Sequence, residues 1–258
     1  MPTLRVDGVK VRVGDGATLL AAARAAGARV PTLCHHDGLE AWGGCRLCLV
    51  EITREGWSGA PRIVTSCNYP AEEGLIVRTS GERVVATRRV VVDLLLARCP
   101  DTPLVRELAR EHGIETTSYE VNPEPTDCVL CGLCTRACDR MGVSAIASVS
   151  RGIGRTIAPP FDQPPPDCIG CFACAEVCPT GHIAGREEGG RRAIWGRVFE
   201  MRRCEGCGAP HVTDEQAAWA RQHGAAEQDL RLCDACKRER LARTFRTLAQ
   251  GEHVTAAV

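Results

Sequence analysis

Cysteine is the residue type through which this sequence can do chemistry. Of its 258 residues 17 are Cys, and 16 of those fall into four sets of four. Two sets share one spacing. The first is Cys128-x2-Cys131-x2-Cys134-x3-Cys138. The second, 40 residues later, is Cys168-x2-Cys171-x2-Cys174-x3-Cys178, followed by Pro179. This is the run with which bacterial two-cluster ferredoxins hold 4Fe–4S cubanes. Thiolates two residues apart wrap three corners of a cubane on a tight loop, and the fourth Cys ligates the other cluster. The spacing therefore assigns Cys128, Cys131, Cys134 and Cys178 to one 4Fe–4S cluster. It assigns Cys168, Cys171, Cys174 and Cys138 to the second. Gly132, Ala137, Gly170, Ala173 and Ala175 are small enough to let backbone amides reach the cluster sulfurs. The first run carries Asp139 where the second has Pro179, which removes no ligand.

The third set is Cys34-x10-Cys45-x2-Cys48-x18-Cys67. Four thiolates on an α+β scaffold suit a 2Fe–2S cluster, although the spacing is not the plant-type one. His35 and His36 follow Cys34, but four cysteines already suffice without a Rieske-type histidine pair. The fourth set is Cys204-x2-Cys207 and Cys233-x2-Cys236. Two CxxC knuckles make a tetrahedral four-sulfur site, which zinc favours. A further iron–sulfur cluster is the competitor there. His211 lies between the pairs but is not needed as a ligand, and His182 reads as a neighbour that tunes potential. Cys99 is the unpaired seventeenth cysteine and reads as a small buried hydrophobe.

The elements that must position these sets can be outlined from pattern. Residues 1–80 read as a small α+β domain. A hairpin turns at Asp7-Gly8, a helix runs from Thr18 to Ala26 with Gly27 as its stop, and strands cover Leu47–Ile52 and Gly74–Arg78. Arg54 to Pro61 reads as a long hairpin tip. Residues 81–120 form a helical linker with Val84, Val85, Val91, Val92, Leu95 and Leu96 on its apolar face. Pro100 and Pro103 break it before a second helix that ends at Gly113. The internal repeat occupies 121–187, between Pro-rich segments. Residues 188–258 contain the two CxxC pairs, a helix-like spacer and a basic amphipathic tail.

Composition excludes several functions. There are 32 basic and 32 acidic residues, so no net field recruits nucleic acid. Residues 186–258 hold 13 basic and 11 acidic side chains, which favours a docking or solvated tail helix over nucleic-acid binding. The richest apolar stretch, Val90 to Ala97, is interrupted by Asp93 and is far too short to cross a membrane. The N-terminus opens into strand-like alternation without the apolar region of a signal peptide, so a cytoplasmic protein is expected, where Cys clusters bind metal more often than they form disulfides.

The segments Pro31-Thr-Leu-Cys-His-His-Asp-Gly-Leu, Gly43-Gly-Cys-Arg-Leu-Cys-Leu-Val-Glu-Ile and Thr65-Ser-Cys carry a resemblance. With the two cubane runs, residues 1–185 resemble the N-terminal region of the large iron–sulfur subunit of complex I. They also resemble the diaphorase small subunit of NAD-linked NiFe hydrogenases and its counterparts in NAD-linked formate dehydrogenases. The resemblance implies a β-grasp 2Fe–2S domain followed by a two-cluster ferredoxin domain. The gap to Cys67 is longer than in the family, and the linker has Cys99 and His112 but no CxxC, so the family's His-plus-three-Cys cluster is not expected. The C-terminal knuckles resemble the zinc-ribbon-like tails of some polyferredoxin subunits.

There is no GxGxxG after a strand and no P-loop, and Gly152-Ile-Gly154-Arg lacks the third glycine. No catalytic set of its own is expected. The resemblance implies an electron-transfer subunit in a hetero-oligomer, between a flavin subunit that handles NAD(P)H and a catalytic subunit. That catalytic partner would be a hydrogenase, a formate or aldehyde oxidoreductase, or a bifurcating enzyme. The alternatives are an iron–sulfur subunit of succinate or fumarate type, disfavoured by two complete cubane runs, and a cluster-based redox sensor with a zinc ribbon.

Overall fold

The computed structural model describes residues 1–249. The chain forms two compact units. The first comprises Met1–Gly142, Ala147–Ala158 and Cys174–Ile183, and the second Val143–Ile146, Pro159–Ala173 and the residues from Ala184 onward.

The first unit begins with β1 (Thr3–Val6), β2 (Val9–Arg12) and α1 (Leu19–Ala25), followed by β3 (Leu49–Arg54), β4 (Arg62–Thr65) and β5 (Leu75–Arg78). The strands form one sheet in the order β2-β1-β5-β3-β4, with β1 and β5 parallel and the other pairs antiparallel. Asp7 and Gly8 both have positive φ, +47° and +85°, so they make the type I′ turn that matches strand twist. Thr18 caps α1, its Oγ1 accepting from Ala21 N at 3.3 Å, and Gly27 (φ +78°) ends it. Leu4, Val6, Leu19, Val50, Ile52, Leu75 and Val77 are buried between α1 and the sheet. Each such side chain contributes about 1.5–3 kcal/mol when fully buried. The hairpin and helix lie where the sequence pattern puts them, and β3 starts two residues later than its apolar run.

The linker supplies α2 (Glu82–Arg98) and α3 (Pro103–Glu111). The inward stripe of α2 runs Val84, Arg88, Val92, Leu96, an i, i+4 register. Val85, expected inward, is 45% exposed. Arg88 takes the place of an apolar residue because its guanidinium donates to the Leu49 carbonyl at 2.5 Å. Asp93, also buried, accepts from Ser118 N at 3.0 Å and so ties α2 to the chain after α3. Cys99 is wholly buried among Val92, Leu96, Val105 and Leu108, and burial pushes its thiol up to about 11. The unit is completed by α4 (Leu133–Arg140) and the hairpin of β6 (Ala147–Val149) and β7 (Thr156–Ala158). The short α5 (Ala173–Glu176) follows.

The second unit is built on a four-stranded antiparallel sheet that the sequence pattern does not announce. Its strands are β8 (Arg186–Glu188), β9 (Arg191–Ile194), β10 (Arg197–Arg203) and β11 (Pro210–Thr213), in the order β11-β10-β9-β8. Gly189-Gly190 and Trp195-Gly196 have positive φ throughout and close the first two hairpins. Phe199 is 1% exposed and seals the sheet against Gly170, where a Cβ would meet its ring at 2.8 Å. The Thr213 hydroxyl donates to the Ile169 carbonyl at 2.6 Å and also caps α6 (Asp214–Gln222). The last described element is α7 (Asp234–Ala249). Among the described residues no helix is long and apolar enough to cross a membrane.

Candidate iron–sulfur and metal sites

The N-terminal set, Cys34, Cys45, Cys48 and Cys67, lies on the loop from α1 to β3 and just after β4. Cys34, Cys48 and Cys67 are each 1% exposed, and Cys45 is half-buried. They meet as two couples. The Cys34 sulfur accepts the Cys45 N–H at 3.4 Å. A thiol–thiolate bond from Cys34 holds Cys45 down at about 5, and the same bond, with burial, pushes Cys34 up. Cys48 is held at about 6 by the bond from Cys67, which is pushed up in turn. Two couples of close sulfurs are the arrangement that a dinuclear centre needs, with two thiolates on each metal. The Ser66 hydroxyl donates to the Cys48 carbonyl at 2.7 Å and Leu20 N donates to the Ser66 carbonyl at 2.9 Å, fastening this loop to α1. Gly43 (φ +68°) turns the loop past Asn68, and a Cβ there would come within 2.7 Å of its amide nitrogen. The residues present fit a 2Fe–2S cluster.

The two cubane runs share a backbone device. In the first, Leu130 and Gly132 flank Cys131 with φ of +51° and +68°. In the second, Gly170 and Phe172 flank Cys171 with φ of +64° and +63°. Left-handed residues alternating with ordinary ones turn successive N–H groups to one side, an anion-binding nest found at iron–sulfur sites. Arg46, after Cys45, has φ +59° in the corresponding place. Leu130, Phe172 and Arg46 each accept roughly 1–2 kcal/mol of left-handed strain, which singles these loops out as candidate sites.

Cys128, Cys131, Cys134 and Cys178 all belong to the first unit. Burial raises the thiols of Cys128 and Cys131 and takes Cys134 to about 12. The charge of Cys178 adds to the rise at Cys128 and Cys131, so the distant Cys178 stands within electrostatic reach of both. Against the penalty of burial, N–H groups of Ile183, Thr180 and His182 and the Thr180 hydroxyl at 3.6 Å hold Cys178 below its ordinary value. This donor set fits one anionic cluster. Of the remaining four, Cys138 and Cys174 lie in the first unit and Cys168 and Cys171 in the second.

The C-terminal set is the most closely gathered. The four Sγ atoms of Cys204, Cys207, Cys233 and Cys236 lie within 4.8 Å of one another, and Cys207 and Cys233 are 3.7 Å apart. With metal–sulfur bonds of about 2.3 Å, a tetrahedron has edges of roughly 3.8 Å. A cubane, where each thiolate binds a different iron, spreads its sulfurs further. Cys204, on the turn after β10, accepts N–H bonds from Cys233 at 3.2 Å and Gly206 at 3.4 Å. These bonds hold it at about 6, while hydrogen bonds with Cys233, Cys207 and Cys204 take Cys236 to about 12. Gly206 packs tightly there, since a Cβ would stand 3.0 Å from the Cys236 sulfur. The set fits a single tetrahedral ion.

The histidines stay outside these sets. His35 Nε2 meets Asp37 at 3.0 Å, and His36 Nδ1 accepts from Gly38 N at 3.1 Å. Both nitrogens of His211 face backbone carbonyls near the knuckles, Arg202 at 3.1 Å and Leu230 at 3.0 Å. Sequence reasoning missed the arginines that brace the loops: Arg88 on the Leu49 carbonyl, Arg98 on the Cys128 carbonyl at 2.9 Å, Arg136 on the Cys34 carbonyl at 2.5 Å and Arg192 on the Gly170 carbonyl at 2.7 Å. A guanidinium seeking a carbonyl leaves no mark in spacing or periodicity.

A family model described as a 2Fe-2S iron-sulfur cluster binding domain matches residues 1–82. The crystal structure of an NAD+-reducing NiFe-hydrogenase in the H2-reduced state is 31% identical, with a TM-score of 0.53, over 62% of this chain and 75% of that one. The chain belongs to the iron–sulfur family shared by NAD-linked hydrogenases and complex I. Curated members include the NADP-reducing hydrogenase subunit HndD of Solidesulfovibrio fructosivorans, 30% identical over 72% of this chain and 36% of its own length. Another is the mitochondrial NADH-ubiquinone oxidoreductase 78 kDa subunit of Candida albicans, 38% identical over 38% of this chain and 13% of its own length. The chain thus spans about a third or less of the length of these curated family members.

Proposed function

We propose that this chain is an iron–sulfur electron-transfer subunit of a multi-subunit oxidoreductase, standing between a flavin subunit that handles NAD(P)H and a catalytic subunit. The observation that carries this reading is one shared core. Cys34 of the 2Fe–2S set and Cys131 of the cubane set are buried in the same apolar cluster, with Leu33, Leu47, Cys99, Val129 and Leu133 around them. The two cofactor loops are therefore packed against one buried apolar core, as a relay requires. When bound, each cluster takes up and releases one electron. The chain's part is to hold the loops, shield them and set their potentials by amide donors and charge. The family's hydrogenase and complex I members support the redox partners proposed; a hydrogenase, a formate or aldehyde oxidoreductase, or a bifurcating enzyme would supply the catalytic site.

In this reading Cys34 and Cys45 bind one iron of the 2Fe–2S cluster and Cys48 and Cys67 the other. Cys128, Cys131, Cys134 and Cys178 hold one 4Fe–4S cluster. The second cubane, on Cys168, Cys171, Cys174 and Cys138, rests on the spacing. An EPR-monitored redox titration of the reconstituted chain tests the reading. A reducible 2Fe–2S signal together with interacting 4Fe–4S signals is expected, and their absence sinks it.

The C-terminal knuckles take one zinc ion, with a structural role because zinc has no redox chemistry. Their metal affinity depends on pH, since protons compete for thiolates. Free thiols titrate near 8.5. Because Cys204 is lowered to about 6, its contribution is fully present above 8.5 and is lost as pH falls through about 6. Zinc release, followed with an indicator dye, is expected to grow as pH falls, because protons compete with the metal for the same thiolates.

A further inference from the structure

Within the first unit Arg136 reaches across from one cofactor loop to the other. It stands on α4 between Cys134 and Cys138. Its Nε donates to the Gly132 carbonyl at 3.3 Å, inside the cubane run. Its two terminal nitrogens donate to the Cys34 carbonyl at 2.5 Å and to the Glu40 carbonyl at 2.6 Å, both on the 2Fe–2S loop. The guanidinium lies 5.7 Å from the ring of Trp42, on that same loop. Trp42 in turn lies over Gly132, where a Cβ would meet its ring at 2.9 Å. One planar cation thus accounts for three carbonyls on two loops, and its own ring partner fills the space that only glycine leaves.

Two consequences follow from elementary electrostatics. Three divergent carbonyls suit the rigid fork of arginine and cannot all be met by the single ammonium of lysine. A fixed positive charge beside a redox centre stabilises its reduced, more negative form, and does so more strongly where water is partly excluded. The neighbouring arginine Arg98 offers a contrast. It donates to the carbonyls of Cys128, Ile153 and Arg155 at 2.9, 3.3 and 2.8 Å, and touches the cubane side alone.

Resting on the electron-relay reading above, we infer that Arg136 is a positioning residue that locks the 2Fe–2S loop to the first cubane loop and lends one positive charge to both centres. The relative placement of these two centres, and the ease with which each accepts an electron, are thereby set by one side chain.

The test uses the full chain loaded with its clusters, with iron content measured for every variant. EPR redox titration gives the potential of each centre, and the magnetic interaction between the two reduced centres reports their relative placement. Arg136→Gln is expected to lower the potentials of the 2Fe–2S centre and of the cubane together, by about tenfold in each reduction equilibrium, equivalent to 59 mV for a one-electron couple. Arg136→Lys keeps the charge and loses the fork, so the interaction should change while both potentials hold. Arg98→Gln should move the cubane alone. Full iron content in Arg136→Gln with either potential unmoved overturns the inference, as does a cubane-only shift like that of Arg98→Gln. If the Gln variant loses iron, an unaltered magnetic interaction in Arg136→Lys overturns it instead. A wild-type chain without the 2Fe–2S and cubane signals would sink the relay reading itself, and this inference with it.

Discussion

Cys178→Ala is expected to destroy the 4Fe–4S cluster assigned to Cys128, Cys131 and Cys134 and to spare the one assigned to its sequence neighbours. Cys178 follows Cys174 by four residues, yet its charge is felt by Cys128 and Cys131, some fifty residues earlier in the chain. Those four cysteines belong to one compact unit. Removing one of four thiolates leaves one iron without its protein ligand, so iron should fall by about one (a 3Fe–4S remnant) to about four (loss of the cluster) of roughly ten per chain, counting two cubanes and one dinuclear cluster. The 2Fe–2S signal should persist, because its loop is fastened to α1 and β3 and not to Cys178. Cluster-resolved EPR decides the matter: loss of the other cubane would refute the crossed ligation.

The second large effect is expected at the C-terminal knuckles. Cys204 is the hub of that site, since its sulfur accepts N–H bonds from both Gly206 and Cys233. Cys204→Ala removes a ligand and both acceptor contacts. Structural zinc supplies about 10–16 kcal/mol in small zinc-finger domains. No residue of α7 is buried, so little apolar packing remains to hold that helix when the metal is gone. Metal analysis of the wild type should give one Zn beside about ten Fe. The variant should keep its iron, lose its zinc and become open to proteolysis between 204 and 249. About fourteen Fe and no Zn in the wild type would instead mean a fourth cubane, against the short sulfur–sulfur distances. A zinc-free variant that resists protease would overturn the structural role.

Much of the local architecture was legible in sequence because its causes are local. The Asp7-Gly8 turn follows from the need for two positive φ angles in a tight hairpin, and α1 from a threonine cap and a glycine stop. The break between α2 and α3 follows from Pro100 and Pro103. Cys99 fell into the core as a small apolar residue would. The sheet of β8 to β11 was not legible. Arg191, Arg192, Arg197, Arg202 and Arg203 obscure its alternation, and Arg192 occupies an inward position because it pairs with Glu187 and the Gly170 carbonyl. The same holds for Arg88 in α2. Hydrogen bonds to carbonyls far along the chain let a charge stand where pattern reading demands a hydrophobe.

What the sequence determined by itself is the inventory of candidate ligands. The spacing of Cys128 to Cys138 and of Cys168 to Cys178 dictates loops on which three thiolates converge, because a separation of two residues leaves few backbone paths. The paired CxxC motifs dictate knuckles for the same reason. Tertiary structure decided what those ligands face. It set Cys34 against Cys45 and Cys48 against Cys67, brought Cys34 and Cys131 into one apolar core, and drew the last four sulfurs close enough for a single ion. It also placed Arg136 across two loops. Contacts of that kind depend on which distant carbonyls and sulfurs the folded chain leaves in need of a partner, and spacing along one chain carries no record of them.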